Sequence, residues 1–191
     1  MKNSVLFELL MSLFVVVWAH QPFPEKTETT YQNIQIFQDP EVSIAMYASL
    51  DFSGDVDYFA FEGFEGIPAY LSVVIPVIPG QEDFAPDIEI AGPFPAPKLS
   101  VEEEFDGRMV YTLVDDQASP TVFFEPFSRT SYWERQEVWM ELSVNGWYIV
   151  RVSDGRQRTG RYVLAMGTKE VFGGDLLFLL QFKRTYWKPA E

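Results

Sequence analysis

The chain has no cysteine and a single histidine in 191 residues. The first absence excludes a disulfide framework, a thiol nucleophile and cysteine-held zinc. The second leaves only His20, too near the N-terminus to serve a buried Ser-His-Asp or Cys-His arrangement. A copper centre of the oxidative polysaccharide type would need a second histidine, so His20 is expected to be an untethered terminal residue. Bases are also scarce, with 14 Lys and Arg against 28 Asp and Glu for a net charge of −14. That sign opposes counterion release from a phosphate backbone, so nucleic acid is excluded as a partner. Apolar residues are plentiful instead, at 47%, with 16% aromatic. Such a composition buries a core, and the length suits one domain.

After Met1 and Lys2 the only sustained apolar run is Leu9–Ala19, interrupted by Ser12. It is shorter than the roughly 18 residues that a membrane helix needs. With Val17-Trp18-Ala19 at its end it reads as a signal peptide, residues 1–19, cut before His20. Glu8 within it is atypical, and an uncleaved anchor is the alternative. The expected location is secreted, periplasmic or at the cell surface, with no membrane association beyond this segment. An exported chain without cysteine points to a bacterial or archaeal source.

Residues 20–40 read as an extended lead-in, with prolines and no period. From Val42 to Tyr47 apolar residues alternate with period two, as in a half-buried strand. Further strands are expected at Asp55–Phe61, Ala69–Ile75, Asp87–Ala91, Met109–Val114, Thr121–Glu125, Glu137–Leu142, Trp147–Val152 and Tyr162–Met166. Turn signals stand between them, of which Asn145-Gly146 is the strongest hairpin signal. Together they predict an all-β domain over 41–172, an antiparallel β-sandwich of jelly-roll or Greek-key type. Asp175 as N-cap, Leu176–Phe182, and Lys183 with Arg184 predict a short C-terminal helix and tail over 173–191.

Charge is uneven along the chain. Residues 20–128 carry 20 acids and 3 bases, whereas 129–191 carry 7 acids and 10 bases. In an interleaved topology some of Arg129, Arg135, Arg151, Arg156, Arg158 and Arg161 are expected beside early carboxylates. The acidic half then reads chiefly as a solvated face that keeps an exported protein soluble.

The segment Gly54-Asp55-Val56-Asp57-Tyr58-Phe59-Ala60-Phe61 carries an Asp-x-Asp-aromatic mark. With Gly146–Val152 and the later Gly160-Arg161-Tyr162-Val163-Leu164, it resembles the bacterial pre-peptidase C-terminal (PPC) modules over roughly residues 41–168. The resemblance implies a β-sandwich of secreted proteins with a non-catalytic accessory role, in some members with calcium or polymer binding. The proline-rich Gly92–Lys98 stretch and the aromatic Phe123–Trp133 stretch depart from that pattern.

Three groups of residues carry candidate chemistry. Asp51, Asp55 and Asp57 surround the Ser53-Gly54 turn and bring hard oxygens together as calcium requires, with Glu82, Asp83 and Asp87 able to complete a site. Solvated turn acids are the alternative. The 123–135 stretch offers a platform for sugar or peptide, with Arg129, Tyr132, Trp133 and Arg135 as ligand-binding residues. Its alternative is that these rings close one end of the core. Glu125 and Glu134 offer a carboxylate pair of the type that glycoside hydrolysis uses. The tail 182–188 mixes bases with aromatics as interfacial membrane segments do, and is read as an ordinary docked tail. The resulting expectation is an exported, non-enzymatic accessory or binding module for a protein, peptide or glycan, with calcium as the possible cofactor. The alternatives are a carboxylate-pair glycosidase and a structural component of a secreted or surface assembly.

Overall fold

Strands with one apolar face need a second sheet to cover it, and this chain supplies two. The structure, a computed structural model, describes residues 20–93, 104–105, 108–113, 120–126, 128–175 and 177–178. Its strands are β1 (Gln21–Pro24), β2 (Gln35–Phe37), β3 (Ile44–Leu50), β4 (Val56–Gly63), β5 (Pro68–Pro76) and β6 (Asp87–Gly92). They continue with β7 (Glu104–Phe105), β8 (Arg108–Leu113), β9 (Val122–Glu125), β10 (Thr130–Glu141), β11 (Gly146–Ser153) and β12 (Gly160–Met166). The leader segment and most of the expected helix and tail lie outside the described residues.

The first sheet runs β1-β3-β12-β5-β10-β9 and the second β2-β4-β11-β6-β8-β7. Each has a parallel pair at one edge, β1 beside β3 and β2 beside β4. The lead-in is therefore built into both sheets. The all-β class is found, but the antiparallel sandwich with a C-terminal helix is not. The sheets curl into half-barrels and the twelve described elements include no helix. One cause of curl is visible in β10, twelve residues long, where the register shifts between Glu134 and Gln136. Such a bulge bends a strand and increases its twist. At the C-terminus only Leu177 and Phe178 have helical backbone among the described residues. Asp175 Oδ1 does accept the Phe178 N–H at 2.9 Å, but what docks the segment is the buried Phe178 ring, 5.3 Å from that of Tyr47.

Asn145-Gly146 is not a hairpin either. It carries the chain from β10 in the first sheet to β11 in the second. The reason lies in the neighbouring β4–β5 loop, which takes the bonds a hairpin would have made. Asn145 Oδ1 accepts the Glu65 N–H at 2.7 Å, while Leu142 exchanges backbone bonds with Ile67 and Gly66.

The main core lies between the sheets. Met46, Leu71, Val73, Ile75, Leu164 and Met166 of the first meet Phe59, Phe61, Ile88, Ile90, Tyr148 and Val150 of the second. Tyr148 stacks on Phe61 at 5.3 Å and donates its hydroxyl to the Val144 carbonyl at 2.8 Å. Its ring also lies directly over Gly92, where a Cβ would overlap it. Of the late arginines, Arg151 pairs with early Glu89 at 2.6 Å, whereas Arg158 pairs with its own neighbour Asp154 at 2.6 Å.

Candidate functional site

At one end of the core the β3–β4 turn gathers acids. Gly54 sits in the left-handed region at φ +82°, which tightens the turn and lets the Asp55 N–H reach the Phe52 carbonyl at 3.1 Å. Asp55 is buried there, with Oδ2 accepting the Asp51 N–H at 2.6 Å and Oδ1 the Val56 N–H at 2.8 Å. Two residues on, strand alternation turns Asp57 to the same side as Phe59 and Phe61, and it is wholly buried. Its Oδ2 accepts the Tyr162 hydroxyl at 2.5 Å and its Oδ1 the Thr29 hydroxyl at 3.2 Å. Thr29 also holds the lead-in down, because its Oγ1 accepts the Tyr58 N–H at 3.0 Å. Glu25 caps the same loop through the Thr29 N–H at 3.1 Å.

Burial and crowding of charge raise the proton affinity of Asp57, Glu28 and Glu25. Asp57 is pushed up to about 8, first by burial and then by the charges of Glu25 and Asp55, against the bonds from Tyr162 and Thr29. Glu28 is pushed up to about 7 by loss of solvent, a side-chain hydrogen bond with Asp55 and the charges of Asp55, Glu25 and Asp51. Burial also lifts Glu25, with Asp51 adding repulsion. Such a group is relieved by protons or by a cation.

Oxygens of Glu28, Asp55 and Asp57 all lie within 4.8 Å of one another. Two ligands at the 2.3–2.6 Å typical of calcium can stand at most about 5 Å apart, so the three can converge on one ion. This is an acidic cluster, its two aspartates buried, that is capable of holding a divalent cation. Of the three aspartates expected from sequence, Asp55 and Asp57 belong to the converging set and exposed Asp51 acts beside it. Glu82, Asp83 and Asp87 are not in that set. Glu28 was missed, since nothing in Thr27-Glu28-Thr29 signals a partner 27 residues away.

The aromatic stretch divides between two faces. Tyr132 and Trp133 are neighbours on β10 and therefore point oppositely: Tyr132 joins an outer cluster with Tyr47 and Phe178, while half-buried Trp133 packs on the main core. The buried Arg135 donates to the Glu82 carbonyl at 2.8 Å, with its guanidinium 5.8 Å from the Trp133 ring. Arg129 is exposed in the β9–β10 turn at φ +54°. The four are thus not one surface, and Phe127 lies outside the described residues.

Glu125 and Glu134 line one cavity, but Glu125 stands opposite Thr130, four residues from Glu134. That is roughly 13 Å of strand, at about 3.4 Å per residue. Glu125 Oε2 is moreover held by the Ser128 N–H at 2.5 Å. His20 is tethered, contrary to expectation: its Nδ1 meets Ser43 Oγ at 2.5 Å, and that hydroxyl also reaches Glu170 at 3.2 Å. Ser43 is buried and its acid contacts the serine, not the histidine, so the trio is a junction and not a nucleophile system.

No family model matches the chain, and no curated protein matches it. Among the solved structures that match it are two proteins of low identity. The periplasmic g-type lysozyme inhibitor PliG of Aeromonas hydrophila has 12% identity and a TM-score of 0.35, over 79% of this chain and 98% of that one. CorA, a surface-associated copper-binding protein of Methylomicrobium album BG8, has 8% identity and a TM-score of 0.31, over 78% and 99%.

Proposed function

We propose that the chain is an exported, non-catalytic accessory or binding module whose acidic cluster holds calcium and so fastens the lead-in to both sheets. The observation that carries this is the origin of the three donors. Glu28 comes from the lead-in, Asp55 from the turn and Asp57 from β4, and the last has both oxygens bonded inside the core. A carboxylate so placed holds structure together and is out of reach of a substrate. Calcium suits an irregular oxygen set better than magnesium, which demands strict octahedral geometry and keeps its water. Support for the PPC-like resemblance comes from the same bond, since Asp57 of its first mark accepts the hydroxyl of Tyr162 in its second. Export is supported by the Leu9–Ala19 run alone.

Two measurements test the reading. Millimolar calcium should raise the melting temperature by mass action, more than magnesium does, and Asp55→Asn with Asp57→Asn should remove the rise. An unchanged melting temperature rejects the calcium site. Mass spectrometry of protein from the native host should find His20 at the mature N-terminus, and a cytoplasmic chain retaining Met1 rejects export.

A further inference from the structure

The outward face of the first sheet holds a second feature, remote from the cluster in function and made of different chemistry. Tyr47, Tyr70, Phe123 and Tyr132 line a cavity of about 240 Å³ whose wall also bears Glu125 and Glu134. Beside it Trp139, 61% exposed, lies opposite Tyr70 in the β5–β10 register with ring centroids 4.5 Å apart. Exposed Glu137 accepts the Tyr70 hydroxyl at 3.4 Å. Its described lining holds no lysine or arginine, and the one basic side chain there is His20, which is engaged with Ser43 through Nδ1.

We infer that this aromatic trough is a docking site for an arginine or lysine side chain of a basic protein partner. Three observations converge on that occupant. Aromatic rings and carboxylates are the two groups that attract a guanidinium or ammonium, the rings through their quadrupole and the carboxylates through charge. Carboxylates crowd the trough, with Glu125 and Glu134 in its wall and Glu137 on the Tyr70 hydroxyl, and Glu137 and Glu134 add to burial in holding the Tyr70 proton on. The cavity is also smaller than the roughly 300–1,000 Å³ of small-molecule sites, so it fits a side chain presented from a larger surface. The net charge of −14 would steer such a partner inward. The inference rests on the reading of the chain as a binding module and is independent of calcium.

The probe is a fluorescein-labelled tetra-arginine peptide, followed by polarisation at low salt against the full chain. Glu134→Gln with Glu137→Gln should weaken binding about tenfold, and Trp139→Ala about threefold. Glu62→Gln with Glu65→Gln removes the same charge from exposed positions in β4 and the loop after it, and should change affinity by less than twofold. Equal losses from the two double variants would show attraction to net charge alone and overturn the site. So would a gain in affinity in a chain carrying Lys183→Ala, Arg184→Ala and Lys188→Ala that is lost again with Glu134→Gln and Glu137→Gln but kept with Glu62→Gln and Glu65→Gln, which would assign the trough to the chain's own basic tail. Each variant is checked for an unchanged melting temperature, including its response to calcium. A failed peptide assay with an intact calcium response therefore rejects the trough and leaves the calcium site standing.

Discussion

Tyr162 of β12 donates its hydroxyl to Asp57 of β4 across the interior, so one hydrogen bond ties the first sheet to the second. Both residues are wholly buried. Tyr162→Phe removes the donor and leaves a buried carboxyl short of one partner, which should cost about 1–3 kcal/mol. Urea unfolding measures it, and a loss below about 0.5 kcal/mol would show that the bond does not link the sheets.

The metal-free chain should lose stability as pH rises. Asp57 keeps its proton to about pH 8 when folded but releases it near 3.9 when unfolded, so between those values the folded state binds more protons. The Asp57 contribution is then full below about pH 4 and declines toward pH 8, with Glu28 contributing over the lower part of that window up to about 7. Melting in chelator across pH 4–8 should show this downward trend, and Asp57→Asn should flatten it. Saturating calcium should also flatten it, since the ion binds the deprotonated oxygens.

Gly92 faces the ring of Tyr148, which is fully buried against Phe61. Gly92→Ala should therefore overpack this point and destabilise by about 1–3 kcal/mol. A thermal shift of only a degree or less would mean that the ring moves aside freely.

Two tryptophans of β10 should behave oppositely. Trp133 packs on the main core, so Trp133→Ala should cost about 3 kcal/mol. Trp139 stands outside, and Trp139→Ala should stay within about 0.5 kcal/mol. Denaturant titration of the two single variants compares them directly.

Strands were legible in this sequence because burial on one side imposes period two, as in Ile44, Met46, Ala48 and Leu50 of β3. Their pairing was not. Among the described strands only β7–β8 and β9–β10 join neighbours in sequence, and the other partners are set by more distant residues, which is why Asn145-Gly146 misled. Two of the three converging acids could be read, since Asp55 and Asp57 follow directly on one turn. Glu28 could not, because a loop acid reveals its partner only once β2 has been laid beside β4. The opposite fates of Tyr132 and Trp133 were within reach, for adjacent strand residues always face apart.

The position of β12 between β3 and β5 also dictates timing. A chain emerging N-terminus first can make neither of those contacts until residues 160–166 are free, and β4 likewise waits for β11. The centre of each sheet must therefore stay open, with its apolar strands uncovered, until β11 and β12 have emerged. Folding dominated by such distant pairings belongs on the scale of roughly milliseconds to seconds. During that interval the abundance of negative charge serves a second purpose, since mutual repulsion keeps unfinished chains from pairing with one another.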